Sequence, residues 1–192
     1  MIQEEIIKFH AYYSDPHFEH ENIIKYCDRP FGDSKEMVDE LIRRYNEVVR
    51  ENQNVLWVGD CYFKNRGKEI LDSLNGNKYL LRGNHDKRKK DKEFLSFGFK
   101  EVYKEHFLSS LDEYDVRFSH YPYFGFSLDK RYENLRPPIE DSVVLIHGHC
   151  HAKEKRTWMN TVHVGVDAWD FRPALRAEVK AIIAEIKSEI PI

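Results

Sequence analysis

No apolar run in this chain approaches the ~20 residues needed to span a bilayer, so no membrane-spanning helix is expected. The opening stretch, MIQEEIIKFH, carries two acids and lacks the basic start and long apolar segment of a signal peptide. An excess of one charge is also missing. The 30 basic and 33 acidic residues leave a formal net charge of -3. That gives no global pull toward nucleic acid, although a local basic patch can act alone. Cysteine is scarce. Cys27, Cys61 and Cys150 cannot all pair with one another, and their spacing is neither a zinc ribbon nor a redox pair. Reduced thiols in a reducing compartment follow most simply, and with them a cytoplasmic location. Repeats, low-complexity segments and linkers are not found either.

What is present is a globular composition, 41% apolar and 33% charged, neither disordered nor membrane-like. The 192 residues suit one domain spanning 1–192, since two would leave both cores thin. Strand-like runs occur at Phe9–Ser14, Val55–Gly59, Tyr79–Arg82, Val116–Ser119 and Val143–His147, each rich in β-branched or aromatic residues. Ser34 to Arg50 reads as a helix, with Met37, Val38, Leu41, Tyr45 and Val48 on one face and Ser34 as N-cap. A shorter helix covers Lys68 to Leu74 and ends at Asn75-Gly76. The second half predicts short strands at Val102–Tyr103, Phe107–Leu111, Tyr114–Ser119 and Thr161–Val166, then an amphipathic helix from Pro173 to Ile190. The alternation predicts an α/β fold with two mixed sheets packed face to face and helices outside.

The polar residues fall unevenly. The strands end in Ser14-Asp15-Pro16-His17, Gly59-Asp60, Arg82-Gly83-Asn84-His85-Asp86, Ser119-His120 and His147-Gly148-His149-Cys150-His151. In α/β sheets ligands bind beyond the carboxyl ends of strands, so these ends describe one polar cluster. Asp15, His17, Asp60, Asn84, His120, His149 and His151 are more donors than one divalent ion uses. Two ions ~3.5–4 Å apart, sharing one carboxylate, use them all. Two carboxylates against two dications leave net positive charge for a phosphate. A water bridging both ions, its pKa lowered toward ~7, supplies hydroxide. Oxygen and imidazole donors suit manganese, iron, zinc, nickel or magnesium better than copper or an iron–sulfur cluster.

These motifs, in this order, resemble those of the calcineurin-like metallophosphoesterases. Ser14-Asp15-Pro16-His17-Phe18-Glu19-His20-Glu21-Asn22-Ile23-Ile24 followed by Arg29-Pro30-Phe31 resembles its short bacterial and phage branch. The resemblance implies a four-layer α/β/β/α sandwich. It implies that Asp15, His17 and His151 bind one ion, that Asn84, His120 and His149 bind the other, and that Asp60 bridges them. It places His85 as proton donor to the leaving group or as transition-state stabiliser, with Asp86 orienting it. Gly59-Asp60 continues into Cys61-Tyr62-Phe63, unlike the Val-Asp-Arg-Gly of phosphoprotein phosphatases, which argues against that branch.

Plainer readings stand beside these. His147 reads as support or packing, and His20 and His163 as weaker candidates still. Cys150, alternating with two histidines, points away from them if the segment is extended. Lys87-Arg88-Lys89-Lys90 is a solvated face or a phosphate-attracting rim, to which Arg82 belongs. The connection from Tyr121 to Asp141, with its aromatics and Lys130, Arg131 and Arg136, is a lid or a packed surface excursion. The function expected is hydrolysis of a phosphodiester or nucleotide-type phosphoester. A phosphomonoesterase, a nuclease on nucleic-acid ends and a non-catalytic metal-binding module are the alternatives. The oligomeric state is not legible.

Overall fold

The computed structural model describes residues 8–124 and 132–189. The first sheet holds β1 (Ala11–Tyr13), β2 (Asn54–Trp57), β3 (Asn77–Leu81), β4 (Phe99–Tyr103) and β9 (Ala174–Leu175) in the order β4-β3-β2-β1-β9. Only β9 runs antiparallel. The second sheet holds β5 (Phe107–Leu111), β6 (Tyr114–Ser119), β7 (Val144–His147) and β8 (Thr161–His163) in that order, antiparallel at β5–β6 and parallel beyond. Both sheets are mixed, and helices flank them, as the strand–helix alternation predicts.

Period-two alternation assigns the faces of the first sheet. Ala11, Tyr13, Val55 and Trp57 enter one apolar cluster with Met37, Leu41 and Tyr45 of α2 (Ser34–Val48). Tyr12, Leu56 and Val58 enter a second cluster with Phe118 and Ile146 of the other sheet. Val179, Ile183 and Ile186 of α5 (Arg176–Glu189) join that second cluster. Each buried residue of this size contributes roughly 1.5–3 kcal/mol of burial free energy. The parallel register β1–β2–β3 sets the carboxyl ends of three strands side by side. The parallel β6–β7 register does the same in the second sheet.

Some details depart from the sequence-based expectations. The cap of α2 is Asp33, not Ser34. Asp33 is extended and its carboxylate accepts the Glu36 amide at 2.8 Å, while Ser34 is already helical. The last helix starts at Arg176 rather than near Pro173, because Ala174 and Leu175 first pair with the edge of β1. The expected strand at 161–166 stops at His163 and turns into a 3-10 segment, Val166–Ala168. Helices α1 (Glu21–Tyr26), α3 (Gly67–Asp72) and α4 (Asp91–Phe97) complete the α-helices among the described residues. With six or seven residues, α1 and α4 are too short to announce themselves by periodicity.

Candidate metal centre

Where each strand ends, the chain turns sharply through left-handed backbone. Asp15, His17, Asp60, His149 and His151 have φ between 48° and 73°. Such angles are uncommon outside glycine and cost of order 1–3 kcal/mol each. Main-chain bonds hold them: the Asp15 amide donates to Gly59 O at 3.0 Å and the His17 amide to Asp60 O at 3.2 Å. Glycine is required where these loops touch. A Cβ on Gly83 would stand 2.2 Å from Asp60 Oδ1, and one on Gly148 would stand 2.4 Å from Asp15 Oδ2.

The turns bring the expected donors together. Donor atoms of Asp15, His17 and His151 lie within 4.8 Å of one another, and so do those of Asp60, His120 and His149. Asp60 also groups with His17 and His85. Its Oδ2 is 3.6 Å from His17 Nε2 and 3.4 Å from His120 Nε2, so this carboxylate stands between the two groups. Asn84 Oδ1 is 3.1 Å from His120 Nε2. His120 Nδ1 donates to Val58 O at 2.8 Å, which turns Nε2 toward Asp60. The His85 ring packs edge-on to His17 at 4.9 Å, and its amide donates to Asp60 Oδ1 at 2.8 Å.

Burial and close charge drive the titrations apart. Burial pushes His17 well below its ordinary pKa despite the nearby Asp60 carboxylate. Burial, then the charge of His120, brings His149 down to about 3. His120 goes the other way: burial is outweighed by the charge and hydrogen bond of Asp60, which raise it to about 9. For His151, burial is outweighed by the Asp167 hydrogen bond, contact with Cys27 and the Asp15 charge, giving about 10. Burial of Asp60 is in turn overcome by His120 and His17, which hold its carboxyl well below the carboxylate range. Carboxylate contacts thus favour the charged form of His120 and His151, while burial favours the neutral form of His17 and His149.

Asp86 is a correction. Its carboxylate does not reach the His85 ring. Oδ2 accepts the amides of Asp60 and Gly83, both at 2.8 Å, and Oδ1 accepts the Cys61 amide at 3.0 Å. The carboxylate therefore braces the Asp60 turn against the Asn84 turn. Burial, then the Asp60 charge, pushes its pKa up to about 6. Arg82 is likewise turned inward, donating to Asp91 at 2.9 Å and to the carbonyls of Asp86 and Lys89. It also lines a cleft of about 280 Å³ beside His120, with Gly83, Lys87, Lys104 and Arg136.

His147 faces away, bonded to Gly148 O and to the Thr157 hydroxyl, both at 2.8 Å. His163 packs against His147 at 5.5 Å. His20 belongs to the rim, against Tyr62 at 4.3 Å and His85 at 5.8 Å. Lys87 lies over Tyr132 and Arg88 over Tyr62, so two of the four basic residues flank the site. Part of the 121–141 connection, residues 125–131, lies outside the described residues. Cys150 joins no donor group among the described residues; Cys27 does, with His151 and Asp167. Asp167 and its partner Arg29 escaped the sequence reading. Arg29 sits inside the quoted Arg-Pro-Phe motif, which was a signal without a role, and Asp167 follows no spacing rule.

The donor set fits metal ions. Asp15 Oδ1 and both ring nitrogens of His17 are buried without a hydrogen-bond partner among the described residues. A buried polar atom left so costs roughly 1–3 kcal/mol, a penalty that a bound cation removes. The fold, the strand-end turns and this donor set give a site able to hold divalent ions. The family description "calcineurin-like phosphoesterase" matches residues 11–184, and the chain belongs to that family. An uncharacterized protein of Methanocaldococcus jannaschii is 50% identical over 78 residues, which cover 38% of this chain and only 44% of that relative. The Gene 66 protein of Mycobacterium phage L5 is 27% identical over 92% of this chain and 94% of its own length. A crystal structure of a protein of unknown function from Aquifex aeolicus superposes with a TM-score of 0.66 at 25% identity, covering 90% of this chain and 98% of that one. No helix among the described residues is long and apolar enough to cross a membrane.

Proposed function

We propose that the chain, acting as one domain over residues 1–192, hydrolyses a phosphodiester or nucleotide-type phosphoester at a binuclear centre. The observation that carries this reading is Asp60, whose carboxylate stands between the His17 side and the His120–His149 side. Asp15, His17 and His151 would hold one ion, Asn84, His120 and His149 the other, and Asp60 would serve both. Two bound divalent ions, manganese for preference, supply positive charge for the phosphoryl oxygens and make an attacking water more acidic. His85 stands beside both groups and protonates the leaving alkoxide. Asp86 keeps the Asp60 and Asn84 turns in register. The cationic cleft beside His120 favours a diester over a monoester, because it offers room for a second ester substituent.

The test is hydrolysis of bis(p-nitrophenyl) phosphate and p-nitrophenyl phosphate by protein stripped of metal and reloaded with manganese. We expect manganese-dependent turnover, faster on the diester, that falls at least ~1,000-fold in Asp60→Ala, which removes the shared ligand. His85→Ala should retain both ions and lose ~100-fold in rate. No turnover of either ester with any divalent metal would favour a binding module on the same fold.

A further inference from the structure

Arg29 and Asp167 lie 138 residues apart in sequence and meet as a pair whose side chains are wholly buried. Arg29 Nε donates to Asp167 Oδ1 and Nη2 to Asp167 Oδ2, both at 2.9 Å. Nη2 also donates to Asp15 O at 2.8 Å, and Nη1 to Pro16 O at 2.9 Å. Asp167 Oδ2 accepts a further bond, from His151 Nδ1 at 2.9 Å. One ion pair therefore grips both loops that carry the Asp15–His17–His151 group. Replacing such a buried pair with apolar residues of equal volume is often neutral or stabilising. Stability alone is thus a poor reason for its presence, and geometry is a better one.

We infer that Arg29 and Asp167 are positioning residues that preset the Asp15–His17–His151 group for its ion. By accepting the Nδ1 proton, Asp167 fixes the His151 ring and leaves Nε2 facing Asp15 and His17. The bond a ligating histidine makes through its other nitrogen sets both tautomer and orientation. Arg29, planar and forked, ties the carbonyls of Asp15 and Pro16 to the same carboxylate. It thereby holds the two left-handed turns, at Asp15 and His17, that aim their side chains inward. On the Asn84–His120–His149 side no side-chain carboxylate among the described residues takes the far ring nitrogen of a histidine; His120 hangs from a main-chain carbonyl, and Asp86 bonds to backbone amides. The two halves of the centre should therefore respond differently to loss of the pair. This inference rests on the binuclear reading above.

Calorimetric titration of metal-free protein with manganese tests it. Wild type should take up two ions. Asp167→Asn should weaken one of them by about 10–100-fold and leave the other within about threefold. The near-ultraviolet circular dichroism of the metal-free variant should match wild type. A folded variant that binds both ions as wild type does, or loses both equally, overturns the inference while the binuclear reading stands. A wild type that binds no ion overturns both. If the variant does not fold, long-range proton–nitrogen spectra of the zinc-loaded wild type decide. They should show the His151 proton on Nδ1 with the metal on Nε2, and the reverse arrangement overturns the inference.

Discussion

The two halves of the centre are built from the same residue types and held by different means. On the Asp15–His17–His151 side, the loops are tied by a side-chain ion pair closed across 138 residues. On the Asn84–His120–His149 side, the ties are mostly main chain: Val58 O orients His120, and the Asp86 carboxylate collects three backbone amides around Asp60 and Gly83. The carbonyl that orients His120 survives most substitutions, and Asp86 bonds to amides rather than to a ligating ring. A side-chain partner is lost with one. The first half should therefore be the more fragile, although two of its three donors, Asp15 and His17, are at most 1% exposed, against His120 alone on the other side.

The largest expected break is Arg29→Ala. It leaves the Asp167 carboxylate buried with only His151 as a side-chain partner. Urea unfolding of the metal-free protein should show a loss of about 3–5 kcal/mol, and a loss under 1 kcal/mol would mean that the first half does not depend on the pair. Next come the contact glycines, one serving each half. Gly148→Ala sets a Cβ 2.0 Å from Ser14 Oγ and 2.4 Å from Asp15 Oδ2, and Gly83→Ala sets one 2.2 Å from Asp60 Oδ1. Each should cost about 1–3 kcal/mol by overpacking. In calorimetry Gly148→Ala should impair mainly the first ion, whereas Gly83→Ala, pressing on the shared carboxylate, should impair both. Equal patterns from the two would dissolve the distinction.

A second buried cation, remote from the centre, sharpens the contrast by a smaller amount. Lys78 is buried and, among the described residues, bonded only to the carbonyls of Leu71 and Leu74. Lacking a carboxylate partner, it is brought down by burial from 10.5 to about 8. The folded chain then sheds this proton before the unfolded chain does. Between pH 8 and 10.5 the unfolded state binds more protons, so stability rises with pH. Measured against Lys78→Met, wild type should gain about 1–3 kcal/mol across that window. A flat difference would mean that the two carbonyls hold the charge as well as a carboxylate would.

Much of the centre was legible because its residues are local in pattern. Strand-length apolar runs ending in Asp, His or Asn carry their meaning within a few positions, and all seven expected donors do converge. The positions of the longer strands were legible for the same reason. What escaped was either too short or too distant. α1 and α4 lack the length for a helical period, and the cap of α2 falls on Asp33, one residue before the expected Ser34. The family resemblance implies that Asp86 orients His85, yet the turn points its carboxylate back to the amides of Asp60, Cys61 and Gly83.

By itself, then, the sequence determined the mixed α/β class, the residue types of the centre and the strand ends that present them, since these depend on periodicity and on near neighbours. Only the tertiary structure decided that Asp86 serves the backbone and that Arg29 meets Asp167. Those are contacts between loops tens to more than a hundred residues apart, and no local spacing rule encodes them.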